Sequence, residues 1–198
     1  MLLNRIEKAM MNNPVRAALQ RHVEAKQLLA MGGRMSGGAA LEVGCGRGVG
    51  VEIILDIFGA RRVDAFDFDP HMVESARRRL VARGEDVRLW TGDVTKIASA
   101  ENSYDAVFDF GVIHHVSNWR DGLKEVYRVL RPEGRFYAEE VLEKVLIHPV
   151  WRRLFKHPED DRFDHDRFVN ALEACGFVVV ATNQFWEQFG WFIADKRK

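Results

Sequence analysis

Between residues 39 and 140, short apolar runs alternate with helical patterns, and that alternation leaves the chain very few folds. Residues 39–43, 62–66, 87–90, 104–110 and 135–140 read as strands. They lack a polar face, residues 104–110 most clearly. Strands buried on both sides belong to a parallel sheet with helices on each face. Right-handed crossovers then give a doubly wound, Rossmann-like α/β fold. Helices are expected near 49–58, after Asp69-Pro70 with Met72, Val73, Ala76 and Leu80 inward, and over 119–130 with Leu123, Val126 and Leu130 inward. Residues 131–134 read as a turn. A helix over 163–174 closes at Cys175-Gly176, with glycine beyond the last turn. Residues 177–182 and 189–194 are then two strands separated by six residues, too few for a parallel crossover. The expectation is a seven-stranded, mostly parallel sheet with an antiparallel C-terminal edge pair.

The flanks read differently. Leu3, Ile6 and Met10 share a helical face before Asn12-Asn13-Pro14 interrupts, Asn13 as a cap and Pro14 at the first helical position. Val15, Leu19, Val23 and Leu28 continue an apolar stripe up to Met31-Gly32-Gly33. Residues 1–38 therefore form a helical cap, expected to cover a ligand cleft or pack on the sheet, with a membrane surface as the alternative. Residues 39–140 form the core of a single domain. Residues 141–166 read as an inserted lid, and 167–198 as the closing helix end and strand pair. The lid carries Trp151, Arg152, Arg153, Phe155 and Lys156, which suit a planar or anionic ligand or a solvated helix face. His148, His157 and His165 are spaced too irregularly for a metal motif, so no metal is expected.

Composition narrows the classes. The 198 residues suit one domain, and 47% hydrophobic with 29% charged is a globular balance. Twenty-nine basic and 29 acidic residues cancel, which disfavours a nucleic-acid partner. No apolar run approaches the roughly 18 residues of a membrane span, and the N-terminus lacks a signal-peptide core. Two cysteines, Cys45 and Cys175, make no disulfide framework. A cytoplasmic protein is the expectation, with its oligomeric state open.

The stretch Glu42-Val43-Gly44-Cys45-Gly46-Arg47-Gly48 follows the first strand, at the sheet edge where such folds take ligands. Glycine there permits sharp turns and close ligand approach, or serves a plain strand-to-helix turn. The dinucleotide fingerprint fails at its third glycine, and the phosphate loop fails for want of Lys followed by Ser or Thr. Asp67 lies 23 residues beyond Gly44 and directly follows the second strand, where an acid accepts ribose hydroxyls. Asp69 before Pro70 reads as a helix cap. Asp93 ends the third strand and either accepts from an exocyclic amine or caps a short following helix.

Taken in order, Glu42-x-Gly44-x-Gly46-x-Gly48, Asp67-Phe68, Gly92-Asp93-Val94, Tyr104-Asp105-Ala106-Val107 leading to Ile113-His114-His115, and Val129-Leu130-Arg131-Pro132-Glu133-Gly134 resemble a class I S-adenosylmethionine-dependent methyltransferase. The group is the small-molecule type, similar to quinone-biosynthesis methyltransferases. Glu133 departs from it, standing where the family often has a second glycine. The resemblance implies S-adenosylmethionine as cofactor, S-adenosylhomocysteine as product and a small-molecule acceptor. It implies that Gly44, Cys45 and Gly46 pack against the methionine portion with Glu42 supporting the loop. Asp67 would hold the ribose, Phe68 the adenine face, Asp93 and Val94 the adenine edge, and Phe110 the sulfonium end. Methyl transfer from a sulfonium needs chiefly alignment, and a general base only for some acceptors. His114, His115 and Glu140 are the candidates for that base. The histidines are otherwise structural, and one of Glu139 and Glu140 is expected to face the cleft. A cofactor-binding protein without turnover, and a nicotinamide oxidoreductase, are the competing functions.

Overall fold

In the computed structural model, residues 13–147 and 161–198 are described. Leu3, Ile6, Met10, His148, His157 and the aromatic and basic residues at 151–156 lie outside them, so the lid reading is met only at its ends.

Seven strands form one sheet: β1 (Ala39–Val43), β2 (Arg62–Asp67), β3 (Val87–Thr91), β4 (Tyr104–Phe110), β5 (Leu130–Val141), β6 (Phe177–Phe185) and β7 (Phe189–Lys196). Their order is β3-β2-β1-β4-β5-β7-β6. The first five are parallel, and β7 lies antiparallel between β5 and β6. The order reverses beside β1, so the crevice above β1 and β4 is where this topology leaves room for a ligand.

Before β1, α1 (Pro14–Leu19) runs through a π-helical turn at Gln20–Glu24 into α2 (Ala25–Gly32). α3 (Val49–Ile53) continues in a second π turn, Ile54–Phe58. α4 (Pro70–Leu80), α5 (Trp119–Val129), the short α6 (Glu143–Leu146) and α7 (His165–Ala174) follow. One face of the sheet packs on α5 and α7 through Trp119, Leu123, Val126, Phe168 and Leu172. The other packs on α2, α3 and α4 through Ala25, Leu28, Ile53, Phe58 and Leu80. All five β1 residues are buried, as a central parallel strand requires.

Four expectations are corrected. First, the apolar stripe of the cap helix does not turn inward: Val15, Leu19 and Val23 are 78%, 46% and 53% exposed. Arg16, Gln20 and Glu24, each one position later, face the protein instead, and Glu24 is buried and paired with Arg16. Only Leu28 of the stripe is buried, because the intervening π turn rotates the following helix relative to the first. Second, β5 begins at Leu130 rather than after a turn. The 131–134 segment is absorbed as an irregularity, its pairing with β4 jumping from Tyr104↔Leu130 to Ala106↔Arg135. Glu133 sits there at φ 67, the left-handed region that glycine enters more easily. Third, Met72 is only half-buried and turns toward the ligand cavity. Fourth, α7 starts at His165. Phe163 precedes it and packs at a tilt against Trp119 and Phe168, so this end of the lid segment belongs to the core.

The end of α2 is fastened to the sheet by polar contacts. The Tyr137 hydroxyl lies 3.1 Å from both Gly32 O and Gly33 O, and Arg135 joins Gly32 O to Asp195 of β7. Tyr137→Phe removes the hydroxyl and leaves buried carbonyls with fewer partners, a loss of about 1 kcal/mol. The thermal midpoint is expected to drop by about 2–4 °C, read by circular dichroism.

Candidate functional site

The loop after β1 holds Gly44, Gly46 and Gly48 at φ 67, 50 and 83. The first two have opposite surroundings. A Cβ on Gly44 would lie 2.3 Å from Val112, whereas one on Gly46 would meet nothing within 4 Å. Gly44 thus packs against the fold and Gly46 fronts open space. The loop is held from β2: Cys45 N–H donates to Phe66 O at 2.8 Å, and Gly46 N–H donates to Asp67 Oδ2 at 2.9 Å. The other Asp67 oxygen accepts from Asp69 N–H at 2.8 Å, and Asp69 caps α4 by accepting from His71 N–H. One carboxylate therefore ties the glycine loop to the start of α4.

In front of this loop lies a cavity of about 640 Å³. Its walls include Glu42, Gly44, Cys45, Gly46, Asp67, Phe68, Asp93, Val94 and Phe110, all nine residues the sequence reading assigned to a cofactor. Phe68 presents half its surface, while Val94 and Phe110 are buried behind theirs. Asp93 makes a tight turn rather than capping a helix: its Oδ1 accepts from both the N–H and the hydroxyl of Thr95, and Asp93 bridges to Lys96. The Cys45 thiol is buried, and burial pushes its pKa well up, so it is an inert wall atom.

Glu42 is the unusual wall residue. Its carboxyl fits only because residue 50 is glycine, since a Cβ there would overlap Oε1. Oε2 is buried and has no hydrogen-bond partner among the described residues. Burial, then the nearby Asp67 and Asp109, push its pKa well up. An orphaned acid oxygen on a ligand cavity suits a donor-bearing, cationic group.

The opposite wall comes from Asn13, Pro14, Arg16, Ala17 and Gln20 of the cap. Sequence reasoning missed these residues, since a polar helix face carries the same signal whether it meets solvent or a polar cavity.

Behind the cavity, Asp109, Glu139 and Glu140 are buried at the ends of β4 and β5. Asp109 Oδ1 accepts from Val112 N–H at 2.9 Å, and Glu140 accepts from Ile113 N–H at 2.7 Å. Burial and the adjacent Glu140 hold the Asp109 pKa well up, while burial brings Glu140 up to about 7. Glu139 is raised by burial and by Glu24, which packs against it under Arg16. Neither Glu139 nor Glu140 reaches the cavity wall, contrary to the expectation that one of them faces the cleft. Period-two alternation fails to separate them because helices and the 113–115 turn cover both faces of β5. Glu140 also binds the ring of His114, which is buried away from the cavity. Of the three candidate bases only His115 lines the cavity, its ring tilted against His114 with centroids 4.1 Å apart.

A pKa raised by folding means that the folded state binds the proton more tightly than the unfolded chain. The associated stability is complete below the ordinary carboxyl value of 4.5 and is lost as pH climbs toward the folded value of about 7 for Glu140. The thermal midpoint is therefore expected to fall between pH ~5 and ~8, and to fall less in Glu140→Gln, which cannot ionise. Circular-dichroism melts across that range read both slopes.

Residues 41–138 match the family model described as "Methyltransferase domain". A curated relative from Mycolicibacterium smegmatis, designated a probable S-adenosylmethionine-dependent methyltransferase, is 37% identical over 171 residues, 82% of this chain and 60% of the relative. The demethylmenaquinone methyltransferase of Staphylococcus epidermidis is 28% identical over 138 residues, 69% of this chain and 56% of that protein. The chain thus spans 56–60% of the length of these relatives. Among solved structures, the methyltransferase in complex with the Trm112 activator of Haloferax volcanii superposes with a TM-score of 0.79 at 20% identity, covering 98% of this chain and 100% of that one. With strand order, glycine loop and acid placement agreeing, the chain belongs to the class I S-adenosylmethionine-dependent methyltransferases.

Proposed function

We propose that the cavity above β1 and β4 binds S-adenosylmethionine and that this chain directs its methyl group to a small organic acceptor. One observation carries the reading: all nine residues that the resemblance assigns to the cofactor lie on the wall of a single cavity. When bound, the cofactor supplies a methyl group on a sulfonium, an electrophile that needs alignment more than activation.

The chain's own residues do the rest. Gly46 offers backbone without a side chain at the cavity wall, and Glu42 offers an orphaned acid oxygen suited to an α-ammonium group. Asp67 accepts the ribose hydroxyls while keeping the loop in place. Phe68 gives an apolar platform for the adenine ring. Thr95 orients the Asp93 carboxyl for the adenine amine. The cap contributes a polar wall that shields the reacting end from bulk water.

His115 is placed to take a proton from acceptors that must lose one. The Glu140-bound His114 packs against it at a tilt and sets its orientation, a positioning role. The cavity's volume of about 640 Å³ and the zero formal charge favour a small acceptor over a nucleic acid. No described helix is long and apolar enough to cross a membrane. Both cysteines are free, which supports the cytoplasm as the working compartment.

Calorimetry with S-adenosylhomocysteine tests the cofactor assignment. Asp67→Ala is expected to weaken binding roughly ten- to a hundredfold, since hydrogen bonds to a charged group contribute about 1.5–3 kcal/mol. Phe68 is exposed and holds nothing else in place, so Phe68→Ala is expected to weaken binding about tenfold without altering the fold. Unchanged affinity in both variants would remove the cofactor from this cavity. Once an acceptor panel followed by S-adenosylhomocysteine release identifies turnover, His115→Asn is expected to lower kcat at least roughly a hundredfold with cofactor affinity preserved. An unaffected kcat would remove His115 from the proton path.

A further inference from the structure

The wall of the cavity has two halves of different charge. Its acids among the described residues, Glu42, Asp67, Asp69 and Asp93, stand on β1, on β2 or in the loops after β2 and β3. The described cap residues and the 111–118 segment contribute none. Arginines reach both halves. Arg79 is bound to Glu52, and Arg47 belongs to the glycine loop. Arg16, on the cap, is therefore the fixed charge of the acid-free half.

Arg16 is anchored from behind. One guanidinium N–H donates to Glu24 at 2.5 Å, and Glu24 is buried and off the cavity wall. The guanidinium makes no other hydrogen bond among the described residues, so the Nε and Nη2 donors are not engaged by them. Gln20 follows one turn later on the same helix face and also reaches the wall. Its side-chain amide has no hydrogen-bond partner among the described residues.

We propose that Arg16 and Gln20 receive a carboxylate carried by the acceptor, so that the substrates of this chain are small organic acids. The proposal rests on the cofactor reading, which leaves this half of the cavity to the acceptor. Nε and Nη2 lie side by side on a planar guanidinium, the fork that matches the two oxygens of a carboxylate. The Gln20 amide supplies a further donor from the same helix face. A guanidinium that served only to neutralise Glu24 would be sealed over it, whereas this one keeps 19% of its side chain exposed and reaches the cavity. The Glu24 contact fixes the fork in advance, so less side-chain freedom is lost when an anion binds.

Ligand-observed NMR titrations of the full chain with acetate, malonate and benzoate, each against its uncharged amide, test this. At least one acid is expected to bind roughly tenfold or more tightly than its amide. Gln20→Ala leaves the Arg16–Glu24 pair intact and is expected to weaken that acid about tenfold. The double variant Arg16→Gln with Glu24→Gln strands no charge and is expected to erase the preference for acid over amide. Glu24→Gln alone removes the competing negative charge and is expected to tighten the acid at least about twofold. A pair that only held the cap in place would make these last two variants alike. Melting curves show that each variant is folded. S-adenosylhomocysteine affinity is expected to match the wild type throughout. Its loss in the double variant would assign Arg16 to the cofactor's own carboxylate and overturn the proposal. A wild type without any preference for acid over amide, or a preference that survives in the double variant, would overturn it as well. Titrations with and without S-adenosylhomocysteine separate the two readings: a cavity that rejects S-adenosylhomocysteine yet still prefers acids fails the cofactor assignment alone.

Discussion

Glu42, Asp109, Glu139 and Glu140 stand at the ends of three neighbouring strands, all buried within reach of the ligand cavity or just behind it. Four carboxyls in so little space cannot all ionise without water, and burial raises every one of their pKa values. The surrounding structure is arranged around that difficulty. The 112–114 turn directs backbone N–H groups at Asp109 and Glu140, His114 turns its ring to Glu140, and Arg16 with Glu24 closes over Glu139. Glu42, Asp109 and Glu139 each keep a buried oxygen without a hydrogen-bond partner among the described residues, and Glu42 is the one of the four that borders the cavity. A positively charged ligand head would answer that oxygen.

This acid floor makes sense of the cap. An ordinary surface helix would bury Val15, Leu19 and Val23 and turn its polar residues outward. Here Arg16 and Glu24 are needed below, so the helix is seated the other way and its valines face solvent. The polar contact between Arg16, Glu24 and Glu139 outweighs the modest burial that three small apolar side chains would give.

The sheet was readable because its signal is redundant. The first five strands, β3 with its outward Arg88 excepted, are largely apolar on both faces and bounded by glycine, proline or an acid, so pattern and punctuation agree. The residues that line the cavity were readable for a related reason: glycine at positive φ and acids at strand ends are local requirements visible in a few consecutive residues. What stayed hidden depends on partners far along the chain. Nothing near Arg16 announces Glu139, and nothing near Glu140 announces that the 113–115 turn covers it. Asp109 was the nearest to a visible clue, an acid between Phe108 and Phe110 in a strand whose other acid, Asp105, stands at its start. The start of β5 was misplaced because Pro132-Glu133-Gly134 is turn chemistry that the neighbouring strand captures as an irregular stretch of ladder.

The π turn at Gln20–Glu24 is a one-residue insertion in helical bookkeeping, and it decouples the two halves of the cap. Deleting any one residue from it would swing the N-terminal half by about 100°. The valines would then roll toward the acids while Leu28 and Ala25 stayed seated on the sheet. Related chains with caps one residue shorter should therefore show a different residue pattern over this cleft, with the greasy side turned down and the acids beneath it replaced.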